Sequence, residues 1–328
     1  MFRRNCLRLV SGVALLGLLG LAQAQTQTQN YPNKPIKLIV PAAPGGGADF
    51  FARLIGPKLG EALGQNVVVE NRSGAAGTIA ADATAKAAGD GYTVLIGQST
   101  SVVVAPHMYS KLTYDTQKDL TPVTLVAEVP NVLAVHPSVP ANSVQELIAL
   151  AKAKPDSLNY ASSGKGAPSH LAGEMFEIAT GTKMTHVPYR GAGPATNAIL
   201  AGEVQLMFGP AVAVMSQVRS GRLRGLAVTS AARSAGAQEL PTLAESGLKD
   251  FEITSWFGLF VPSSTPAAIV EKLQRETAKV LSLPDVQERF AKEGAIAGGN
   301  TPAAFAGFVR TEYTKYGKLI KAKGITAD

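Results

Sequence analysis

A glycine-rich loop near the start of the chain has the composition of an anion-binding site. It reads Pro-Ala-Ala-Pro-Gly-Gly-Gly-Ala-Asp over residues 41–49, between the apolar run from Ile36 to Val40 and a predicted amphipathic helix. Consecutive glycines let backbone N–H groups converge, and a helix N-terminus adds partial positive charge. A carboxylate would be held there without a charged side chain. A flexible turn capped by Asp49 is the alternative, but ligands of α/β sheets bind at such strand ends, which favours a binding loop.

This loop matches neither of two common phosphate-binding motifs. No Gly-Lys-Ser or Gly-Lys-Thr follows it, so it is not the loop of a P-loop nucleotidase. Gly45 and Gly47 fit the first two positions of the dinucleotide fingerprint, but Phe50 occupies the third. The sequence therefore indicates an anion site without a nucleotide signature.

Two further loops in the middle of the chain repeat this arrangement. The segments 160–170 and 187–196 each follow a predicted strand and open a predicted helix. Both place hydroxyl groups and backbone amides at a helix N-terminus, where negative charge is stabilised. Ser99 and Thr100 follow another predicted strand and are expected to donate hydrogen bonds into the same site, with ordinary loop solvation as the alternative. We expect the three loops to face one another across a cleft.

Catalytic and metal-binding signatures are missing from the sequence. No Gly-x-Ser-x-Gly elbow occurs, and Ser162 to Lys165 is not the Ser-x-x-Lys arrangement with its partner motifs. The four histidines, His107, His136, His170 and His186, lack the spacing of metal ligands. For His170, a role in capping its helix is favoured over ligand contact. We expect no catalytic residue, no metal and no cofactor.

The elements that position these loops alternate between β-branched runs and amphipathic helical stretches, which predicts α/β layers on a mainly parallel sheet. Helix ends are marked by the Ser143/Glu146 capping box and by Thr265 and Thr301, each before a proline. The last helix should end at Gly324. Its apolar face is a core face: Phe305, Phe308, Val309, Tyr313, Tyr316, Leu319 and Ile320. Predicted strands are Ile36 to Val40, Val67 to Glu70, Thr93 to Gly97, Val123 to Ala127, Val132 to Val135, Leu158 to Ala161, Gln205 to Phe208, Gly225 to Thr229 and Ile253 to Val261.

Two lobes are expected from the length of 328 residues and from the apolar runs on either side of Pro130. These runs predict a strand that leaves one lobe and enters another, and residues 256–261 would return to the first lobe. The predicted domains are 25–128 with 251–328, and an inserted 129–250. Two connections between two lobes describe a hinge, and a hinge implies a cleft.

The first 24 residues are typical of a signal peptide. Arg3, Arg4 and Arg8 form a basic head, residues 9–21 are apolar, and Ala22-Gln23-Ala24 offers a cleavage site. An uncleaved anchor is the alternative, but the apolar run is short for a membrane span. We expect an exported, periplasmic protein that is not embedded in the membrane.

Composition and charge narrow the function classes further. With 46% hydrophobic and 17% charged residues, the chain is neither disordered nor a coiled coil. Cys6 is the only cysteine and lies in the predicted signal, so no disulfide or thiolate site is expected. Without the signal, 28 basic and 24 acidic residues leave a charge of +4. Because these charges are spread along the chain, they suit mild attraction of anions and give no nucleic-acid footprint.

The mature chain resembles the substrate-binding receptors of tripartite tricarboxylate transporters, also called Bug proteins. Nearly its whole length takes part, and Gly47 stands where a bulkier residue or proline is commoner. The matching segments are Val40-Pro41, Pro44-Gly45-Gly46 with Asp49 and Arg53, Leu63-Gly64-Gln65, Val69-Glu70-Asn71-Arg72, Asp90-Gly91-Tyr92-Thr93, His170-Leu171-Ala172-Gly173-Glu174, Val187-Pro188-Tyr189-Arg190-Gly191, Leu226-Ala227-Val228-Thr229-Ser230, Pro241-Thr242 and Trp256-Phe257-Gly258-Leu259.

This resemblance implies a type II periplasmic binding fold: two α/β domains, a hinge of two connections, and a ligand enclosed in the central cleft. Members hold small carboxylates largely through backbone amides, hydroxyls and ordered waters. Asp49 is expected to cap its helix and orient amides, with contact to a ligand ammonium group as the alternative. The candidate ligand-binding residues are Ala43, Pro44, Gly45, Gly46, Gly47, Ala48, Asp49, Ser99, Thr100, Ser162, Ser163, Gly164, Ser169, His170, Tyr189, Arg190 and Gly191.

The function that the resemblance implies is that of a monomeric solute receptor. It would capture a small organic carboxylate and deliver it, through transient contact, to the membrane subunits of a tripartite tricarboxylate-type transporter. A sensor subunit of the same fold, docking on a signalling protein instead, is the alternative. A periplasmic hydrolase is less favoured.

Overall fold

The computed structural model describes residues 30–327. The predicted signal peptide, its cleavage site and Cys6 lie outside this range. Across residues 30–327, no helix combines the length and the apolar character needed to cross a membrane.

Helices and strands alternate along most of the chain. The strands are β1 (Ile36–Val40), β2 (Val67–Asn71), β3 (Thr93–Gln98), β4 (Leu120–Val135), β5 (Asn159–Ser162), β6 (Thr185–Pro188), β7 (Leu206–Pro210), β8 (Arg224–Val228), β9 (Thr254–Pro262) and β10 (Ile296–Ala297). The α-helices are α1 (Gly47–Leu63), α2 (Thr78–Ala85), α3 (Ala105–Met108), α4 (Val144–Ala153), α5 (Pro168–Thr180), α6 (Ala192–Leu200), α7 (Ala211–Arg219), α8 (Ala267–Leu281), α9 (Pro284–Lys292) and α10 (Pro302–Lys323). A π-helical turn, Thr100–Val104, precedes α3.

The strands form a mixed sheet in the order β2-β1-β3-β9-β4-β7-β5-β6, with β8 and β10 also paired to β4. At its two ends the sheet is parallel, as predicted: β1 pairs in parallel with β2 and β3, and β5 with β6 and β7. The expected parallel character fails at the centre, where β4 and β9 run antiparallel to each other and to their other neighbours. These strands pair antiparallel because β4 carries the chain from the first lobe into the second, and β9 carries it back to the first lobe beside β3.

The long strand β4 joins the two halves of the molecule. The two apolar runs predicted on either side of Pro130 are one continuous strand. From Leu120 to Pro130 it pairs with β9, and from Asn131 to Val135 with β7. The chain returns after β8, where the backbone N–H of Ile253 donates to the carbonyl of Thr229 at 3.0 Å. Two adjacent crossings therefore connect an α/β lobe at each end.

The C-terminal helix α10 packs on the central strands β4 and β9. Phe305 and Tyr316 of this helix are fully buried, as the sequence predicts. A Cβ atom at Gly258 of β9 would come within 2.1 Å of the Phe305 ring, so the strand needs glycine there. The buried carboxylate of Glu312 accepts a hydrogen bond from the Trp256 indole at 3.2 Å, which satisfies two polar groups in the core.

The predicted helix ends are confirmed except at Thr265. Ser143 accepts the backbone N–H of Glu146 at 3.2 Å, Thr301 accepts that of Ala304 at 3.3 Å, and Gly324 ends α10 in the left-handed conformation. The predicted cap at Thr265 is wrong, because α8 begins one residue later and Pro266 occupies the capping position. Within residues 30–327, the buried Thr265 hydroxyl has no hydrogen-bond partner.

Candidate functional site

A cavity of two adjoining chambers lies between the two lobes. The inner chamber has a volume of about 180 Å³ and the outer one about 560 Å³. Ser163, Pro210, Ser255 and Phe257 line both, so the two chambers adjoin. A volume of this size suits a small organic molecule.

The inner chamber is rich in neutral hydrogen-bonding groups. Ser99 and Thr100 come from the end of β3, and Ser163 and Ser169 from the loop before α5. The central strands β4 and β9 add Asn131 and Ser255. Hydroxyl and carboxamide groups both donate hydrogen bonds to carboxylate oxygens. Gln98 is a further polar residue in the lining of this chamber.

Asn131 is a buried side chain with unused hydrogen-bonding capacity. Its backbone is satisfied, because its N–H donates to the Thr229 hydroxyl and its carbonyl accepts the Thr229 N–H, both at 2.9 Å. The side-chain Oδ1 and Nδ2 atoms, in contrast, have no partner among the described residues, and the residue is 0% exposed. A buried unpaired carboxamide is unfavourable, so a ligand that pairs with it gains free energy that the empty site lacks.

The outer chamber is mainly apolar. Phe50 and Phe51 of α1 line it together with Phe257 of β9. Val129 of β4 and Val212 of α7 complete the apolar wall. The rings of Phe51 and Phe257 pack with centroids 4.9 Å apart, which fixes this wall through contacts within the first lobe.

The electrostatic character of the cavity comes from backbone rather than from cationic side chains. Neither chamber is lined by a lysine, arginine or histidine, and Glu293 is the single ionisable side chain lining them. First-turn or capping residues of four helices reach the cavity, among them Gly47 of α1 and Gly193 of α6. Ser169 of α5 and Val212 of α7 do the same. N–H groups in a first helical turn have no acceptor within the helix and stabilise an anion.

In the glycine loop, Asp49 has an internal role. Its buried carboxylate accepts the backbone N–H of Gly45 at 2.9 Å and pairs with Arg53 at 2.9 Å. The Asn71 carboxamide donates to it at 2.8 Å. The hydrogen bond from Arg53, with those from Gly45 and Asn71, lowers the pKa of Asp49 to about 2. Asp49 is thus ionised and holds the loop from behind, outside the cavity lining.

In the loop before α5, the backbone is held by hydrogen bonds between neutral groups. The Ser163 N–H donates to the Ser169 hydroxyl at 2.9 Å, and both residues line the inner chamber. The Ser162 hydroxyl lies 2.6 Å from Nε2 of His186, which fixes the end of β5. Burial, together with the neighbouring His170, lowers the pKa of His186 to about 4. The ring of His186 is therefore neutral at physiological pH.

His170 stacks on His186, with ring centroids 3.9 Å apart. Its Nδ1 accepts the Gly166 N–H at 3.1 Å, so Nε2 carries the proton and faces Glu174 at 3.3 Å. Burial raises the pKa of Glu174, but hydrogen bonds from His170 and Lys323 outweigh it and bring this pKa to about 2. His170 therefore supports the loop through Gly166, which is the helix-end role that the sequence favours.

The structure brings some of the predicted site residues to the cavity and places others behind it. Tyr189 packs in the second lobe with its hydroxyl on Glu203, and Gly191 forms the cap of α6. The predicted residues that line a chamber are Gly45, Gly46, Gly47, Ser99, Thr100, Ser163 and Ser169. Those that line neither chamber are Ala43, Pro44, Ala48, Asp49, Ser162, Gly164, His170, Tyr189, Arg190 and Gly191.

Several lining residues do not follow from the loop motifs. Asn131 and Ser255 lie on the crossing strands. Ser255 pairs with Val129 across β4 and β9, and Asn131 lies two residues further along β4. The signal for Asn131 is a polar residue that interrupts the apolar run through which the chain leaves the first lobe. Phe257 and Glu293 carry no such signal, because only the fold brings them beside α1.

Comparison with known sequences places the chain in one family. The model of the tripartite tricarboxylate transporter family receptors matches residues 51–325. Protein BugT of Bordetella pertussis is 37% identical over 322 residues, covering 98% of both chains. A protein from the tcbD-tcbE intergenic region of Pseudomonas sp. strain P51 is 37% identical over 314 residues, covering 95% of this chain and 93% of its own.

Solved structures agree with this placement. An R. palustris protein solved with adipate superposes with a TM-score of 0.79 at 37% identity, over 90% of this chain and 99% of its own. The periplasmic binding protein BugD superposes with a TM-score of 0.75 at 34% identity, with the same coverage. Members of this family are solute-binding proteins rather than enzymes. The chain therefore belongs to the tripartite tricarboxylate transporter receptor family and has the two-domain periplasmic binding fold.

Proposed function

We propose that this protein is a periplasmic receptor that captures a small organic carboxylate in its interlobe cavity and delivers it to a tripartite tricarboxylate-type membrane transporter. The observation that carries the proposal is the inner chamber, where Asn131 and the hydroxyls of four serines and a threonine converge without a cationic side chain. Neutral donors and helix N-termini select an anion and still release it readily, as a transport receptor must. Relatives of similar sequence were solved with adipate and with malate, both carboxylates.

The candidate ligand residues come from both lobes. Under this proposal the lobes are residues 25–128 with 251–328, and 129–250, with Ser99 and Thr100 on one side. Ser163 and Ser169 lie on the other side, and Asn131 lies at the crossing itself. A ligand that contacts both sides favours the closed arrangement by its difference in affinity for the two states. The closed receptor is the form that the transporter subunits would recognise.

Export completes the proposal. The basic head, apolar run and small-residue site within residues 1–24 would direct the chain to the periplasm and be removed there. Delivery can be tested by substrate uptake into membrane vesicles that hold the transporter subunits. A rate of substrate uptake that rises with added receptor supports delivery, and a rate that does not depend on the receptor contradicts it.

Ligand capture is tested first by thermal shift against dicarboxylates, citrate, acidic amino acids, and aromatic and aliphatic monocarboxylates. A ligand at one hundred times its dissociation constant adds about 2.7 kcal/mol to the free energy of unfolding, which is an easily measured rise in Tm. Recovery of the ligand unchanged supports a receptor. Conversion of the ligand would point to an enzyme instead.

The role of Asn131 is tested with Asn131→Leu, a substitution of similar shape. We expect ligand affinity to fall at least tenfold while the Tm without ligand stays equal or rises, since an unpaired buried carboxamide is removed. Thr265→Val is the matched control, because Thr265 also carries a buried unpartnered group but lies outside the cavity lining. Unchanged ligand affinity in Asn131→Leu would show that Asn131 does not bind the ligand.

A further inference from the structure

We propose that the ligand of this receptor is a monocarboxylate with an apolar body, and that Glu293 discriminates against a second carboxylate at its far end. This inference rests on the proposed carboxylate-binding function and specifies its substrate class. It follows from the distribution of polar groups, apolar walls and charge between the two chambers.

Side chains that hydrogen-bond to a carboxylate are concentrated in the inner chamber. Asn131, with its two unpartnered side-chain atoms, lines the inner chamber and not the outer one. Ser99, Thr100 and Ser169 likewise line the inner chamber alone. The neutral side-chain hydroxyls of the outer chamber are Ser163 and Ser255, which lie at the junction of the two. A carboxylate is therefore held at the inner end.

The outer chamber is built to receive apolar surface. Phe50, Phe51 and Phe257 line it with Val129 and Val212, and its volume is about 560 Å³. A cavity of about 150 Å³ with apolar walls already accommodates benzene, so an aromatic ring or a branched aliphatic chain fits here. Burial of that apolar body would stabilise the complex in proportion to the area removed from water.

The glycine loop offers few free amides for a second carboxylate. The N–H of Gly45 donates to Asp49 at 2.9 Å, and the N–H of Gly46 donates to the carbonyl of Ala43 at 3.1 Å. A Cβ atom at Gly47 would lie 3.0 Å from the Phe257 ring, so this glycine admits the ring that forms the apolar wall. Gly45 and Gly46 thus shape the outer chamber and supply no free N–H group to it.

The charged side chain at the outer end, Glu293, has the wrong sign for a dicarboxylate. Glu293 follows the last residue of α9 and lines the outer chamber, and it forms no ion pair with any residue from 30 to 327. Arg289, one turn earlier, is exposed and lies over the Phe50 ring at 5.7 Å, outside the lining of the chamber. A carboxylate at this end would be repelled by Glu293 in a partly desolvated site.

The test compares ligands that differ only in the second carboxylate: hexanoate with adipate, and benzoate with terephthalate. Calorimetric titration uses the protein exported under its own leader, purified and then refolded to release bound ligand. We expect the monocarboxylate of each pair to bind at least tenfold more tightly. Glu293→Gln should narrow that ratio at least fivefold by strengthening dicarboxylate binding.

Two variants serve as controls. Glu288→Gln, on the exposed side of α9 in a pair with Lys292, should leave the ratio unchanged. Arg289→Gln should also leave it unchanged, and a specific loss of dicarboxylate binding in this variant would overturn the proposal by making Arg289 the partner of a second carboxylate.

The outcomes separate this inference from the proposed function. Equal or tighter binding of the dicarboxylates, or a ratio that Glu293→Gln does not alter, overturns the inference and leaves a carboxylate receptor. Binding of none of the four acids and of none of the wider carboxylate panel overturns both.

Discussion

The glycine loop of the first lobe and the serine loop of the second, residues 41–49 and 162–169, occupy equivalent places but are built differently. Each follows a parallel strand and opens a helix that points at the cavity. The glycine loop is held by the ionised Asp49 with Arg53. The serine loop is held by neutral contacts, the Ser162–His186 pair and the Ser169 hydroxyl.

This difference separates two tasks that the sequence pattern alone does not distinguish. In the glycine loop the polar group with the most contacts, Asp49, is turned away from the cavity and stabilises the backbone. In the serine loop, Ser163 and Ser169 hold each other and also face the inner chamber. We therefore expect substitutions in the first loop to act mainly on stability and those in the second mainly on ligand affinity.

The largest expected effect is that of Asp49→Ala on stability. Its removal leaves the N–H of Gly45 and the side chains of Arg53 and Asn71 without their shared acceptor, and should lower the free energy of unfolding by about 3 kcal/mol. Since the pKa of Asp49 falls from 3.8 to about 2 on folding, the contribution is present above pH 3.8 and is lost toward pH 2. Urea unfolding at several pH values measures both effects.

Asp285→Ala is the control for this prediction, because Asp285 is exposed and its pair with Lys58 should contribute little to stability. Ligand affinity of the folded Asp49→Ala protein should stay within about threefold of the native value. A large loss of affinity with unchanged stability would place Asp49 in the ligand site and contradict the comparison.

The second effect is the pH dependence that His186, the partner of Ser162 in the serine loop, gives to protein stability. Because the pKa of His186 is 6.5 when exposed and about 4 in the fold, only the unfolded chain takes up this proton as the pH falls through that range. The native protein should lose about 2 kcal/mol of stability from this group between pH 7 and pH 4, relative to His186→Gln. The free energy of unfolding is measured against pH for both proteins, and the difference between the two curves gives the contribution of His186 apart from those of Glu174 and the other acids. Parallel curves would show that His186 is not held neutral.

A third, smaller effect concerns binding. Ser169→Ala removes a hydroxyl that lines the inner chamber and also leaves the Ser163 N–H without its acceptor. We expect ligand affinity to fall about tenfold, with a change in Tm of about 2 °C or less. Calorimetry beside thermal unfolding separates the two readouts. Loss of stability without loss of affinity would make the serine loop structural, like the glycine loop.

The sequence predicts much of the fold because its signals are local. The capping box at Ser143, the apolar face of α10 and the strand–loop–helix units all depend on neighbours within a few residues. The prediction at Thr265 failed because the helix begins one residue later than predicted, and Pro266 occupies the capping position with the non-helical backbone angles φ −57° and ψ 138°. The antiparallel centre of the sheet depends on the path of the chain between lobes, which no local pattern encodes.

The residues of the site are harder to predict from the sequence than the helices and strands, because several of them are brought together only by the path of the chain. The loop motifs predict Gly47, Ser163 and Ser169 as site residues, and all three line the cavity. Asn131 is recognisable as a site residue only when its side chain is found buried without a partner. Glu293 lies far along the chain from the loops and reaches the outer chamber through the packing of α9 beside α1.

The smallest predicted effect tests whether the glycine loop shapes the cavity through Phe257. In Gly47→Ala the new Cβ would lie 3.0 Å from the Phe257 ring, so the ring must shift by a few tenths of an ångström. We expect affinity for a ligand with an apolar body to fall about threefold, because a displaced wall loses dispersion contacts. Gly193→Ala is the matched control, since its Cβ meets nothing within 4 Å at another helix start of the same chamber. If both variants weakened binding equally, contact with the Phe257 ring would not be the cause, and the glycine loop would not support the aromatic wall.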